Sequence, residues 1–470
     1  MRLKLTFLSD DEIQAIHHNS LRLLENVGVN IDSEKARNLL AAKGAKVCGD
    51  NVRFPKEMVT ETLRLANANV TLTARNDAKS VRLPAVEFPY CTTSGYVPYV
   101  IDEGATEYRL ATAEDLRVFS VLSDYYDEFG FFWPVVLPQD VPAGYQEYKA
   151  VEVAFSHTGK HIQASVSNGE TAEYQIELAA LIAGGKGKLR ERPVLSLLAA
   201  PLTPLCIKGG IADAIVCAAR HGIPVVPMSL PQMGTTSPAT AAANTLLANT
   251  EVLSCYMLAK CADELAPVIY ASDTGAPNLR TLGLEYNNPE FFILSAGNAD
   301  MARFYNLPGM VGSGMSEEKD YSTVFGFERN VLKHVIGLLN RTDISCFFGT
   351  VGGCMAASPV ECILDVEAYK YAKAYLRSYE LNDYKLAYDV IAEIGPQGNF
   401  LQHKHTHKNL REEIFTGRIE DSCVFGENYR ERAAEKLKTI LSGHKVPPIE
   451  EKLAKEIEAL SKKAYDALGE

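Results

Sequence analysis

No run of about 18 apolar residues occurs in this 470-residue chain, and its opening, MRLKLTFLSDDEIQ, lacks the apolar core of a secretion signal. The expectation is a soluble, cytoplasmic protein with no membrane partner. A basic excess is missing too. The formal charge is −12, the wrong sign for a phosphate backbone, so a nucleic-acid partner is not expected. No CxxC pair stands among the ten cysteines, most of which keep apolar company; they read as reduced, buried thiols and not as a disulfide framework. GxGxxG is absent, which argues against a doubly wound dinucleotide-binding sheet, and GxSxG is absent, which removes the serine-hydrolase elbow. Tryptophan occurs once, at Trp133 in GFFWPVVL (130–137).

What is present suffices for a large core: 47% of the residues are hydrophobic and 23% charged, an ordinary enzyme balance. Ser9 to Glu12 reads as a capping box, continued by Ile13, Ile16, Leu21 and Leu24 as an amphipathic helix. Two more helices and two short strands complete an N-terminal cap over 1–87. From residue 88 apolar strand-like runs recur: FPYCTTSG (88–95), GFFWPVVL (130–137), HIQASVSN (161–168), PVLSLLAAP (193–201), IPVVPMSL (223–230), PVIYASDT (267–274), GMVGSGM (309–315) and SCFFGTVG (345–352). Helical segments separate them. Eight such units, apolar on both faces, predict a (β/α)8 TIM barrel over 88–380. Residues 381–470 read as a loop and charged helices that pack or mediate oligomers; a homo-oligomer is expected.

In such a barrel the chemistry sits where the strands end. That rule selects Thr93, Ser94 and Tyr96, then Trp133, Gln163, Ser165, Pro201, Met228, Ser229 and Gln232. It continues with Tyr270, Asp273, Ser313, Met315, Phe348 and Thr350. No strand ends on a basic residue, so a Schiff-base lysine is not expected. Gly312 and Gly314 in GSG, and Gly349 and Gly352 in GTVGG, stand after strands seven and eight, where phosphate sites often lie; without a cation nearby they read equally as tight turns or as room for a bulky partner. His403, His405 and His407 would point one way on an extended segment, but a polar loop closing over the mouth explains them without metal. Asp273 is the one well-placed carboxylate, with loop capping as its alternative role. An indole is the best ring for holding a cation, which gives Trp133 a reading beyond core packing.

Taken together, LSDDEIQAIHHNSLRLLENVGV at the start, the barrel units, and IGPQGNFLQHKHT before HKNLREEIF resemble the trimethylamine:corrinoid methyltransferase (MttB) family across essentially the whole chain. His403, His405 and Thr406 match the family's tail motif, with Asn399 standing where a histidine is usual. The resemblance implies methyl transfer from a methylated amine to a cobalt corrinoid carried by a separate, cognate protein. No DxHxxG segment that would ligate cobalt occurs in this chain. The founding members carry pyrrolysine; near GMSEEKD, where it is expected, this chain has Met315, Ser316, Glu317 and Glu318.

That departure points away from trimethylamine and toward a quaternary amine, whose methyl leaves with a neutral amine behind it. Glycine betaine, giving dimethylglycine, is the first expectation; proline betaine, carnitine and γ-butyrobetaine are the alternatives. No side-chain catalyst is expected. Tyr96, Trp133, Tyr270 and Phe348 are the expected cage for the N-methyl groups. Gln163, Gln232 or His405 are expected at the substrate's polar end, with Asp273 also lining the site. Gly312, Gly314, Gly349 and Gly352 would admit the corrinoid. A phosphate-binding barrel lyase or isomerase, and a betaine binder without activity, are the competing classes.

Overall fold

A computed structural model describes residues 5–281, 283–286, 288–312, 324–414 and 428–469. Seven parallel strands are hydrogen-bonded in the order Tyr90–Cys91, Ile344–Ser345, Gly309–Val311, Tyr270–Ser272, Val225–Ser229, Leu195–Ala199, Ile162–Ser165. Single parallel bridges, Cys91 to Phe129 and Phe132 to Ile162, insert residues 129–132 between the two ends. The sheet therefore closes on itself, and the eight expected runs supply the eight staves of a (β/α)8 barrel.

Local chemistry starts and stops the surrounding helices. Ser9 accepts from the Glu12 amide while the Glu12 carboxylate accepts from the Ser9 amide, so Asp10–Asn26 begins on the expected capping box. Thr112 and Asp115 repeat the device ahead of Ala113–Tyr125. Helix Ala241–Ala262 has apolar residues around nearly its whole circumference, and it is buried on most faces. It is covered by Asp10–Asn26 on one side and by Gly209–Arg220 and Pro289–Phe304 on others.

The N-terminal residues do not simply roof the barrel. Asp10–Asn26, Glu34–Ala42 and Lys56–Leu63 pack along the flank made by helices 209–220 and 241–262, and strand Val29–Ile31 pairs with Cys206–Ile207 beyond the fourth strand. The antiparallel hairpin Val70–Leu72 with Val81–Leu83 sits at the opposite end, where Val70, Leu72 and Leu83 pack with Phe131, Ile269 and Ile344 inside the barrel. It forms the floor.

The last two helices are less solvated than their charge suggests. Tyr429–Gly443 lies against helices 113–125 and 359–375, and Glu451–Leu468 against 169–183 and 146–157. Ala433, Ile440, Ile457 and Ala464 are buried there. The expected loop at 393–409 is partly helical: Lys404–Glu413 forms a helix capped by the His403 ring, which accepts from the His405 amide. Starting a helix at residue 404 turns the three histidines apart, so they do not face one way. Among the described residues no helix is long and apolar enough to cross a membrane, and no group of three His, Cys, Asp or Glu is placed to hold a metal ion.

Candidate functional site

Alternation along each strand decides which expected residues share the lumen. One apolar cluster joins Phe131, Trp133, Leu198, Val226, Met228, Ala271, Met310, Ile344, Cys346 and Phe347, with Tyr286, Phe291 and Cys354 packed against its upper end. These positions identify the inward face. Gln163 lies on the same face and its amide nitrogen reaches the Met310 sulfur 3.7 Å away.

Trp133 is only 4% exposed. Its indole Nε1 donates to Ser165 Oγ on the next strand at 3.0 Å, and its carbonyl accepts from the Thr93 hydroxyl. Gly95 lies flat on the indole: any side chain there would run into the ring. Tyr96 sits at the same side of the rim. Its hydroxyl is buried without a well-formed hydrogen bond, and burial, with Glu147 adding to it, pushes the phenol well up despite a nearby Ser165 amide.

Asp273 follows the sixth strand and turns inward. Its Oδ1 has no hydrogen-bond partner, and burial alone lifts the carboxyl to about 8, so it is a neutral acid at pH 7. Two rings that sequence reasoning missed stand beside it. A Cβ placed on Gly312 would lie 2.6 Å from Phe291 Cζ, 2.7 Å from Asp273 Oδ1 and 3.1 Å from Phe347 Cε2. Two aromatic edges and the carboxyl oxygen thus pack directly against the Gly312 backbone, where no side chain fits. Tyr286 completes the group, its ring centre 5.6 Å from that of Phe291 and 5.8 Å from that of Phe347. Deeper in the lumen, Gln163 Oε1 and Ser196 Oγ are also buried without partners. Tyr96, Asp273, Gln163 and Ser196 thus leave hydrogen-bonding capacity unused on the inner side of the barrel.

Other expected residues lie elsewhere. Tyr270 has the parity opposite to Asp273 and points out of the lumen, its hydroxyl bonded to Asn249 Oδ1 at 3.2 Å and Asn298 Oδ1 at 3.3 Å on the surrounding helices. Phe348 also faces outward, packed on Phe129, His334 and Tyr369 with ring centres 4.8 to 5.6 Å away. Neither ring can join the cage. Gln232 sits in the turn after the fifth strand, where its backbone carbonyl and side chain serve the Thr235 and Ser237 hydroxyls. His405 bonds the Tyr384 carbonyl at 3.1 Å and lines a cleft of about 610 Å³ whose lining comes from residues 383–408 and from no barrel strand.

The glycines divide as well. Gly349 and Gly352 hold left-handed backbone, φ 82° and 60°, in the hairpin Thr350–Val351 with Ala356–Ala357. The space each leaves is filled by Cys362 and by the Tyr108 hydroxyl respectively. They shape a turn and clear no path for a macrocycle. Ser313, Gly314, Met315 and the GMSEEKD segment lie outside the described residues.

Comparison with known proteins bears on what this lumen does. Residues 2–468 match the family model described as trimethylamine methyltransferase (MTTB). A glycine betaine methyltransferase of Desulfitobacterium hafniense (strain Y51) is 28% identical over 99% of this chain and 98% of its own length. A trimethylamine methyltransferase MttB of Desulfitobacterium hafniense (strain DSM 10664 / DCB-2) is also 28% identical, over 98% of this chain and 94% of its own. Among solved structures, the Methanosarcina barkeri monomethylamine methyltransferase (MtmB) superposes with a TM-score of 0.50 at 10% identity, covering 93% of this chain and 89% of that one, a likeness of fold.

Proposed function

Because the chain belongs to the trimethylamine methyltransferase (MttB) family, we propose that it moves a methyl group from a quaternary amine to the corrinoid of a separate protein. Glycine betaine, yielding dimethylglycine, is the first candidate donor, with proline betaine, carnitine and γ-butyrobetaine as alternatives. The observation that carries this reading is the upper lumen itself: Trp133, Phe291, Phe347 and Tyr286 belong to one apolar cluster, with the buried Asp273 carboxyl beside Phe291 and Phe347 and no lysine or arginine from the described strand ends among them. An aromatic, water-poor site of this kind holds N-methyl groups at about 0.5–2 kcal/mol per well-placed ring.

A reduced corrinoid, brought to the mouth by its carrier protein, would supply the nucleophile for the methyl carbon. The amine leaves neutral, so no proton donor is needed. The chain's work is to grip and aim. The rings hold the onium with one methyl toward the opening, the Trp133–Ser165 bond fixes the indole plane, and water stays out. Caging by rings alone favours the charged ground state, so alignment and not charge stabilisation carries the acceleration.

The test is turnover. Reduced corrinoid carrier protein, mixed with this protein and a panel of quaternary amines, should show the spectral change of corrinoid methylation with at least one betaine and none with trimethylamine. Methylation from trimethylamine in preference to every quaternary amine overturns the proposal.

A further inference from the structure

We propose that residues 375–414 form a self-association surface, on which a second copy of this chain docks arm against arm about a two-fold axis. The inference concerns assembly and is independent of which donor the lumen takes.

The stretch is organised but has no core of its own. Its helices Asp383–Leu386, Tyr388–Ile394 and Lys404–Glu413 bury only Asn409 among them. Helices this short do not stand alone in water. Polar bonds hold them to each other: Asn409 Nδ2 donates to the Tyr384 hydroxyl at 2.9 Å and to the His405 carbonyl at 2.7 Å, and Lys385 donates to Asn409 Oδ1 at 3.1 Å. The apolar side chains are left outside. Of the 27 large hydrophobic residues exposed among the described residues, 11 fall between Tyr375 and Ile414, and the others are spread over the rest of the chain. At about 150–250 Å² for a whole large side chain, the exposed fractions of those 11 amount to roughly 1,000 Å² or more. The largest apolar patch of a typical monomer is about 300–600 Å², and a stable interface takes about 800 Å² from each partner.

Three features choose the occupant. First, the undescribed stretches are too poor in apolar residues to cover the patch: 415–427 brings Phe415, Ile419, Val424 and Phe425, and 313–323 brings Met315 and Tyr321. Second, the arm leaves helix Pro359–Tyr375 at the end of the barrel where the staves begin. Tyr369 donates to the Pro89 carbonyl at 2.6 Å and Lys373 lies 5.3 Å from the Phe88 ring, both just ahead of Tyr90–Cys91. That is the end opposite the mouth, which argues against a carrier protein engaged at the mouth. Third, the patch is matched to itself. Its cleft of about 610 Å³ has Tyr384, Leu386 and Tyr388 in its lining together with two charges of each sign, Asp383, Asp389, Lys404 and Lys408. All four are exposed, and among the described residues none has an ion-pair partner. A two-fold contact sets residue i against j and j against i, so such a mixed lining pairs lysine with aspartate twice over. Two chains of formal charge −12 repel in general, and a patch of balanced charge is where they can meet.

Sedimentation velocity of the full-length protein, run from submicromolar to tens of micromolar, should show a species of twice the chain mass at the upper end. Tyr388→Asp with Ile391→Asp, at positions 77% and 56% exposed, puts like charges into the contact and should weaken association by about tenfold or more. Charge exchange decides the matter even if that variant does not fold. Lys404→Glu with Lys408→Glu leaves the cleft acidic, and Asp383→Lys with Asp389→Lys leaves it basic; each should be monomeric alone, and an equal mixture should form the mixed dimer. Cleavage within 377–403 should be fast in dilute wild type and in each charge variant alone, and should slow on pairing. A larger assembly that the same substitutions break in two also supports the proposal. A wild type that is monomeric throughout, or an oligomer that both sets of substitutions leave intact, overturns it. A monomer whose Tyr388→Asp, Ile391→Asp form loses only its affinity for the carrier protein overturns it too, and places the carrier on the patch instead.

Discussion

Trp133 and Phe348 are both buried aromatic residues on barrel staves, and the side of the wall each occupies separates their roles. Trp133→Leu removes the ring and the bond to Ser165, so KM for the methyl donor should rise about 2- to 30-fold, the value of one cation–π contact, with folding retained. Phe348→Leu should leave that KM unchanged and lower the melting temperature, because its ring only fills the shell against Phe129, His334 and Tyr369. Steady-state kinetics beside thermal melts check the pair. Parity was open to a closer reading of the sequence at one position. Counted back from Asp273, the period of two sends Tyr270 to the other face. At Phe347 no count would have helped: its backbone is left-handed, φ 77°, so the turn breaks alternation and swings that ring inward in place of Phe348. Phe291 and Tyr286 were hidden for a different reason. They arrive from the connection after the sixth strand, which has no period to read.

At the scale of the element, the eight staves were legible because strands covered on both faces must be apolar throughout, and that leaves a run no turn can imitate. The path of 403–407 was not legible. A helix beginning at Lys404 depends on the His403 ring capping it, a pairing invisible in the HxHxH spacing. The foot of the third strand carries a pH effect. His161 donates from Nδ1 toward the Thr73 and Pro193 carbonyls, tying the floor hairpin to the third and fourth staves, and burial pushes its imidazole down to about 4. A folded-state value below the unfolded one means that the unfolded chain takes the proton first. Stability from this residue is therefore complete above about pH 6.5 and is lost as pH falls from there toward 4, by up to about 3 kcal/mol. Urea midpoints at pH 7.5 and pH 5 should differ accordingly, and His161→Asn, which keeps a donor but cannot titrate, should narrow the difference.

Across the whole molecule, packing is uneven. Asp124 is held by Lys79 at 2.6 Å and His444 at 2.7 Å, and Tyr148 meets Ser461 at 3.1 Å, so the final helices are clamped to the barrel's outer ring. Among the described residues no such bond ties 379–401 to the barrel, and Tyr379, Tyr388 and Leu401 are 72%, 77% and 67% exposed. Limited proteolysis should cut within 377–403 before it touches the barrel, with fragment masses locating the site. Protection of that stretch equal to that of the helices at 429–468 would contradict the packing described.

The plug formed by Val70, Leu72 and Leu83 has a kinetic consequence. With the lower end stoppered, the proposed reaction has fuel and exhaust sharing one doorway, with the methyl acceptor standing in it. Loading has to precede docking, and the spent amine has to wait for undocking. A carrier that arrives early locks an empty chamber. Excess carrier protein should then inhibit competitively with respect to the amine, and a rate that climbs without limit as carrier is added would mean that a second way in exists.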